Sequence, residues 1–590
     1  MTWSRRSLVR CLASLGGLCA AGRGLARLPR APSLAAQQPV ATTPASGVAA
    51  TPAATPTTAA TGLEFVREQR PTYPGSPRRG GELRLLRPPT SPDQFSPASR
   101  RHDPQIILSY LDPLIRPDPV TLEPGPGLAE SWEWADDNQV LTFILRSDVT
   151  WHDGRTLTAE DVVFSFEVYR DDRESGVRNF FAAMVSAEAI NDSAVRVTLS
   201  ELDGGWVFNA ATQVIIQRDQ FLAHWESRRE GERTIADFDW STSPPLGTGP
   251  WKIVRWTESG IECVRYDGYW GDVASFDRMT LGWEESAEAR LDAWRQGNAD
   301  LLWPVDPMSV ETVTDRPGRL YVADTATVML APFNFWNPQR IVSDFLLDSR
   351  LRQALSLAID RDRYAADVFG TFIRQRAAGT IAQPWANDIE LTTPRQDRET
   401  AQALLSEAGW FDLDGDGILD APWGEPLILT VIVQEDAEPA LLGVLESVEF
   451  DFAAIGVGLT IESLAADSFQ ERWTGSRNFD LMALSYRLDP GFTDFDLYGS
   501  RWDIRSNAQG FNPGGYANAE VDAVIADQRA NPAIADQREA LIRLQRAADE
   551  DLFALWFGFP RDLVLVAPDV LGYQPNKLWQ TAEMHRLWRT

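Results

Sequence analysis

The sequence predicts a mixed α/β fold built from more than one substructure. Three observations carry that reading. The chain has 590 residues, beyond what a single hydrophobic core usually organises. Segments that alternate apolar and polar residues coexist with segments of 3.6-residue apolar periodicity. No self-similarity recurs at a short fixed interval, which sets aside solenoids and propellers. With 44% apolar and 24% charged residues, the composition is that of a folded globular protein.

Taken from the N-terminus, the first folded strand is "GGELRLL", beginning at Gly80. "VLTFILRS" and "AVRVTLS" alternate in the same way and read as half-buried strands. Between them "TAEDVVFSFEVYRD" predicts a helix, with Thr158 as N-cap, Asp161 as its reciprocal partner, and Val162, Val163 and Phe166 on one face. Further on, "SRLRQALSLAIDRDRYAADVF" reads as one helix with Leu351, Ala354, Leu355 and Ala358 in a stripe. "RETAQALLSEAGW" reads as another, stopped at Gly409. A helical pair broken near Asn531-Pro532 runs from "EVDAVIADQRA" to "ADQREALIRLQRAADEDLFALWF". The strands "LILTVIVQ" and "FDLMALSY" lie between these helices, so the C-terminal half predicts a sheet with crossover helices.

The first 36 residues read as an export signal rather than as part of the fold. They open on paired Arg5 and Arg6 in "SRRSLVR", a twin-arginine-like pattern, and continue into a weakly apolar run from Leu12 to Ala21 that is too short to span a bilayer. Cleavage near Ala35 or Ala36 is one expected outcome, and a lipid anchor on Cys19 is the other, although Leu18 stands where that signal wants a small residue. Residues 37–62 are almost wholly Ala, Thr, Pro and Gly and predict a disordered tether, which an N-terminal arm continues to residue 79. Cys263 is then the single cysteine of the mature part, which excludes an internal disulfide framework and marks a small core residue.

A formal charge of −29 argues against nucleic acid and anionic lipid as partners. Catalytic chemistry has little to build on. The four histidines, His102, His152, His224 and His585, are each isolated, and no HExxH, GxSxG or Walker loop occurs. His152 in "WHDG" could act as a base, but a strand-to-turn position favours a structural hydrogen bond. Acidic pairs such as Asp494 and Asp496 could suggest glycoside hydrolysis, yet such pairs abound in so negative a chain. The 22 tryptophans are a stronger signal, because indole rings stack on flat apolar or sugar faces, although most are expected in cores and interfaces.

"DLDGDGILD" has the ligand spacing of half a calcium loop. Asp412, Asp414 and Asp416 fall at its first, third and fifth positions, Gly417 at the sharp turn, Ile418 at the carbonyl position and Asp420 at the ninth. The twelfth position holds Trp423 where a bidentate Glu belongs, and Pro422 with a strand replaces the second helix, leaving Glu425 as a substitute ligand. The competing reading is an Asp-Gly turn joining helix to strand. No cofactor is required on either reading; calcium, if taken up, is a structural brace.

Several segments together resemble one family. "EPGPGLAESWEWADDNQVLTFILRSDVTWHDGRTLTAEDVVFSFE", Glu123 to Glu167, is similar to the signature of solute-binding protein family 5, the oligopeptide, dipeptide and nickel receptors of ABC importers. "PLGTGPWKIVRW", "DSRLRQALSLAIDR", "AQALLSEAGW" and "GFNPGGYANAEVDAVI" follow in the family's order, so the likeness runs from about Gly80 to the C-terminus. The resemblance implies a two-lobed periplasmic-binding-protein fold of type II. Lobe I would take residues 80–120, 196–330 and 561–590, an inserted domain 121–195, and lobe II 331–560, with a hinge between the lobes.

It also implies a receptor that is exported to the periplasm or the outer membrane face, is probed by ABC permease and ATPase subunits, is monomeric, and meets the membrane through the permease or an N-terminal anchor. Ligand joining both lobes would shift an open ensemble to a closed one. Peptide-binding relatives anchor the ligand's ammonium on an Asp, and the matching stretch "LSYRLDPGFTDFD" puts Asp489 there, after Tyr486, with Pro490 and Gly491 in place of the usual aromatic. An Asp-Pro turn is the structural alternative. "PFNFWNPQR" resembles the strand entering lobe II, which makes Asn334, Trp336 and Asn337 candidates for the cleft, Trp336 being equally suited to a core. The leading expectation is a small peptide as ligand. An oligosaccharide is the alternative within the fold and a secreted hydrolase the alternative outside it.

Overall fold

The computed structural model describes residues 63–67, 76–89, 96–98, 103–135, 139–239, 245–313, 316–338, 343–375, 383–387, 390–488, 497–507 and 510–590. The export signal, most of the tether, His102, Asp489, Asp494 and Asp496 lie outside the described residues.

The long strand Ala554–Val566 organises the molecule. Its first half pairs antiparallel with Thr327–Pro332, Pro332 opposite Ala554, and its second half pairs antiparallel with Gly318–Asp324, Arg319 opposite Val566. Two chain segments, residues 318–332 and 554–566, therefore run side by side from one body of the protein into the other. Around their lower half the sheet continues through Leu301–Leu302, Glu82–Arg87, Arg278–Trp283, Gly260–Arg265 and Trp251–Thr257. Glu82–Arg87 pairs parallel with Arg278–Trp283 and with Leu301–Leu302. Parallel neighbours require long crossovers, which is why this body is assembled from distant stretches of chain.

The second body has a three-stranded parallel sheet, Gly458–Leu464, Ile428–Gln434 and Leu481–Met482 in that order, with helices Ser349–Ala358, Arg398–Glu407 and Pro439–Ala453 beside it. Its core, including Leu351, Leu355, Val431, Val444 and Phe452, is separate from the first core, which includes Leu83, Leu281, Val322 and Val564. The single helix expected over residues 349–369 is instead two, because Asp360 leaves the first and its carboxylate accepts the Arg363 N–H at 3.0 Å to start Arg361–Phe369. The expected strand over "FDLMALSY" is likewise interrupted at Ala483, between Leu481–Met482 and Leu484–Arg487. The helical pair Ala519–Ala530 and Ile534–Asp551 was expected in lobe II, yet Val521, Val524, Leu541 and Leu544 are continuous with the first core. Its tight turn explains this: the Gly204 N–H donates to Arg529 O at 2.8 Å, and a Cβ on Gly204 would lie 2.7 Å from Asn531 O.

Inside the first body, residues 129–199 form a four-stranded antiparallel sheet, Ala129–Trp134, Val140–Leu145, Ala194–Leu199 and Met184–Asn191, with helix Ala159–Asp171 packed on it through Val162 and Phe166. Thr158 and Asp161 form the expected capping box, the Thr158 N–H donating to Asp161 at 3.0 Å. The turn at His152 fastens this unit to the rest. Gly247 N–H donates to His152 Nδ1 at 3.2 Å, and His152 Nε2 lies 2.9 Å from Gly249 O. Both ring nitrogens are thus engaged by "PLGTGPW", one as acceptor and one as donor, in the neutral imidazole. Glycine is needed there, since a Cβ on Gly247 would meet Tyr110 O at 1.6 Å. The structural role of His152 and the core role of Cys263, buried with its thiol pushed up to about 12, leave neither as a catalytic group.

Candidate functional site

Beside the crossing strands the two bodies present side chains to one another. Asp562, on Ala554–Val566 opposite Ala323, is half-buried on the first body's side. Burial pushes its carboxyl up to about 6, against the pull of the Trp303 indole and the Gln580 amide. Glu438, which precedes helix Pro439–Ala453 of the second body, is near enough to raise it further, and Arg487 near enough to lower it. Arg487 also bridges the bodies: its Nη2 donates to Leu578 O at 3.1 Å and its guanidinium lies 5.7 Å from the Trp579 ring. Ser485 Oγ donates to Glu438 at 3.4 Å. A carboxylate of each body, two indoles of the first and the Arg487 guanidinium thus lie beside the crossing strands. Sequence reasoning missed Asp562, Glu438, Trp303 and Trp579, because only the register of the crossing strand and the fold of the C-terminal segment bring them together.

The hinge itself is pinned by charge. Asp324, buried at the end of Gly318–Asp324, takes Arg561 Nε at 2.8 Å, Arg374 Nη1 at 3.4 Å and Lys577 Nζ at 3.7 Å. Arg374 belongs to the short strand Ile373–Arg374 of the second body, and Lys577 to the C-terminal segment of the first. One carboxylate therefore holds cations from both sides of the crossing.

The residues singled out from "PFNFWNPQR" fall around the turn at Arg477. Asn334 is fully buried, and its amide nitrogen donates to Arg477 O at 3.0 Å and Phe479 O at 2.8 Å. Asn337 donates to the same Phe479 O at 3.2 Å. Both amides therefore act as braces for residues 477–479, and a ligand would have to displace backbone carbonyls to use them. Trp336 is 45% exposed, with the guanidinium groups of Arg477 and Arg505 at 5.5 and 5.2 Å from its ring. It sits on the surface of this cluster and not in a core. Tyr486 packs instead on Phe511, at 5.9 Å, which in turn meets Trp473 at 4.8 Å.

In "DLDGDGILD" the carboxylates of Asp412, Asp414 and Asp420 come within 4.8 Å of one another. Asp416 is outside that group, its carboxylate accepting the Ile418 N–H at 2.8 Å, and Glu425 accepts the Trp423 indole N–H at 3.2 Å. Asp412 takes the N–H groups of Gly415 at 2.7 Å and Gly417 at 3.2 Å, so the loop closes on its own backbone donors. Asp412→Ala is expected to cost about 1 kcal/mol of stability through those two exposed bonds. Urea unfolding with and without added calcium checks this: a cost unchanged by calcium marks a turn, and one that grows with calcium marks an ion.

Two α/β bodies joined by adjacent crossing strands, with polar and aromatic side chains facing each other beside the crossing, define a two-lobed binding receptor. The model of bacterial extracellular solute-binding proteins, family 5, matches residues 123–503, more than half of the chain, and the protein belongs to that family. It is similar to the oligopeptide-binding protein AppA of Bacillus subtilis, 23% identical over 527 residues that cover 87% of this chain and 92% of the relative. The dipeptide-binding protein of Escherichia coli is 24% identical over 476 residues, covering 75% and 82%. Among solved structures, NikA from Brucella suis in complex with Fe(III)-EDTA matches with a TM-score of 0.72 at 20% identity, over 86% of this chain and 100% of that one, a likeness of fold. The protein is accordingly a substrate-binding receptor of an ABC importer, in a family of receptors rather than enzymes. Among the described residues no helix is long and apolar enough to cross a membrane.

Proposed function

We propose that the protein captures a small peptide-like ligand between its lobes outside the cytoplasm and presents the closed form to a membrane permease driven by an ATPase. The observation that carries this reading is the facing set beside the hinge, with Asp562, Trp303 and Trp579 on one lobe and Glu438, Ser485 and Arg487 on the other. A ligand filling the gap would contact both lobes only when they close, so binding and closure share one free energy. The names of AppA and the dipeptide-binding protein support peptide as the ligand class. On this reading the receptor is monomeric, catalyses no reaction, and is held at the membrane by the permease or by its own N-terminus. Asp489 and Tyr486 belong to the proposed peptide path through the family's motif.

Native mass spectrometry of the protein purified from its own host is the direct test. A co-purified peptide mass is expected, and small-angle scattering should show a more compact particle with it than without it. A co-purified neutral glycan would replace the peptide reading by the oligosaccharide one, which the tryptophans Trp303 and Trp579 favour. Turnover of a substrate panel without retained ligand would replace the receptor by a hydrolase.

A further inference from the structure

We infer that Arg477, Arg505 and Trp336 form a site for a small oxyanion, a carboxylate or a phosphate, at the end of the second lobe away from the crossing strands. Strand register gives its place. Thr327–Pro332 begins opposite Arg487, beside the crossing, and leads to Phe333, which bridges Leu481. Asn334 and Arg477, joined by a hydrogen bond, lie beyond that end. From residue 327 to residue 333 the extended chain covers about 20 Å, so the cluster is separate from the gap where Asp562 and Arg487 stand.

The observation that points to a ligand is a buried cation without a counter-ion. Arg477 is 4% exposed, yet Nε and Nη1 of its guanidinium have no hydrogen-bond partner. Nη2 reaches only Asn334 Oδ1, at 3.5 Å, and that oxygen already accepts the Trp336 N–H at 3.1 Å. Among the described residues no carboxylate forms an ion pair with Arg477. The buried Asp503, whose charge it feels, is committed to Arg505, which donates from Nε to both carboxylate oxygens at 3.1 and 2.8 Å. Two guanidinium groups, 5.5 and 5.2 Å from the Trp336 ring, thus share one carboxylate. The indole face offsets part of the buried charge, but it accepts none of the free N–H groups. Burial pulls the Arg477 pKa down to about 10, Asp503 opposing and Arg505 assisting, so the charge is still present at neutral pH. A cation buried this far without a partner is costly, and an anion supplies both the charge and the acceptors that are missing.

An oxyanion would accept from Arg477 Nη1 and from Arg505, whose side chain is 37% exposed. Arg477 Nη1 is out of reach of solvent, so the exposed Trp336, lying over both cations, is the side chain that turns to admit the ion. Once bound, the ion would join the segments that carry Trp336, Arg477 and Arg505 and brace the second lobe.

The test follows thermal melting and tryptophan fluorescence of the full chain titrated with sodium phosphate and with sodium acetate, against sodium chloride at matched ionic strength. At least one oxyanion is expected to act saturably, raising the melting temperature and shifting the fluorescence, while chloride does neither. Phosphate alone would mark a tetrahedral ion and acetate alone a carboxylate, and each supports the site. Arg505→Gln, at an exposed position, should weaken binding about tenfold or more, and Asp503→Asn should tighten it about threefold, because both guanidinium groups then lack a counter-charge. Those opposite signs distinguish a site from a general loss of fold. Trp336→Phe should abolish the fluorescence shift. No saturation by either oxyanion, an equal response to chloride, wild-type binding in Arg505→Gln, weaker binding in Asp503→Asn, or a shift that survives in Trp336→Phe overturns the site. None of these residues belongs to the proposed ligand gap, so each of these outcomes leaves the receptor reading standing.

Discussion

Replacing Asp324 by Ala is expected to destabilise the protein by about 3 kcal/mol and to loosen the lobes against each other. The carboxylate is buried at the point where the first crossing segment turns over, and Arg561, Arg374 and Lys577 converge on it from both lobes. Removing it takes their shared counter-charge from three neighbouring cations, and truncating one partner of such a knot costs far more than the knot's net worth. The loss falls at the low end of the usual range because Arg374 and Arg561 keep about a fifth to a quarter of their side-chain surface exposed and can turn to water. Asp324→Asn keeps an acceptor for Arg561 and should lose roughly half as much. Urea unfolding measures both, and a loss below about 0.5 kcal/mol for the Ala variant would show that the knot is only a surface network. Scattering adds the functional readout: the ligand-free particle should widen in its distance distribution, because the same carboxylate ties strand Ile373–Arg374 to the C-terminal segment.

This hinge also shows where sequence reasoning stops. Period and capping made the local elements legible: Thr158 with Asp161 starts a helix, Gly409 at φ +94° ends one, and Asn531-Pro532 separates two. These signals act over one or two turns of chain, so one sequence displays them. The motif "PLGTGPW" was visible as a landmark, but its reason, backbone contact with Tyr110 and both nitrogens of His152, appears only in three dimensions. The candidate site was less legible still. Trp303, Glu438, Asp562 and Gln580 are spread through the second half of the chain and share no spacing; they come near one another because a parallel sheet collects distant strands and the last segment folds back on the first lobe. The residues that family likeness did indicate divided by their surroundings. Asn334 and Asn337 brace a turn, whereas Trp336 remains exposed between two guanidinium groups. A cap that misled, Asp360, did so because a one-residue interruption barely disturbs the helical period on either side of it.

Acidification should weaken the docking of the inserted unit through His152. Burial holds the imidazole pKa down to about 4 from an ordinary 6.5, the Gly249 carbonyl resisting and Lys252 assisting that fall. A base whose folded pKa lies below its unfolded one contributes stability that is fully present above pH 6.5 and is lost as pH falls through about 4, because only the unfolded chain takes up the proton in that window. The shift corresponds to about 3 kcal/mol, approached at up to about 1.4 kcal/mol per pH unit. Charging the ring would also turn Nδ1 into a donor facing the Gly247 N–H, so the protonated form cannot keep both bonds. Carboxyls raised by burial, Asp161, Asp172 and Asp562 among them, have the opposite slope, and the total profile mixes both. The difference between wild type and His152→Gln isolates the imidazole. Glutamine can accept from Gly247 and donate to Gly249 but does not titrate, so the variant should lose less stability than wild type between pH 6.5 and 4. Equal losses would mean that His152 is charged in the folded protein and that the inserted unit is held by other contacts. A smaller loss in the variant would assign the imidazole as the joint between the "WHDG" turn and the "PLGTGPW" loop that leads into strand Trp251–Thr257.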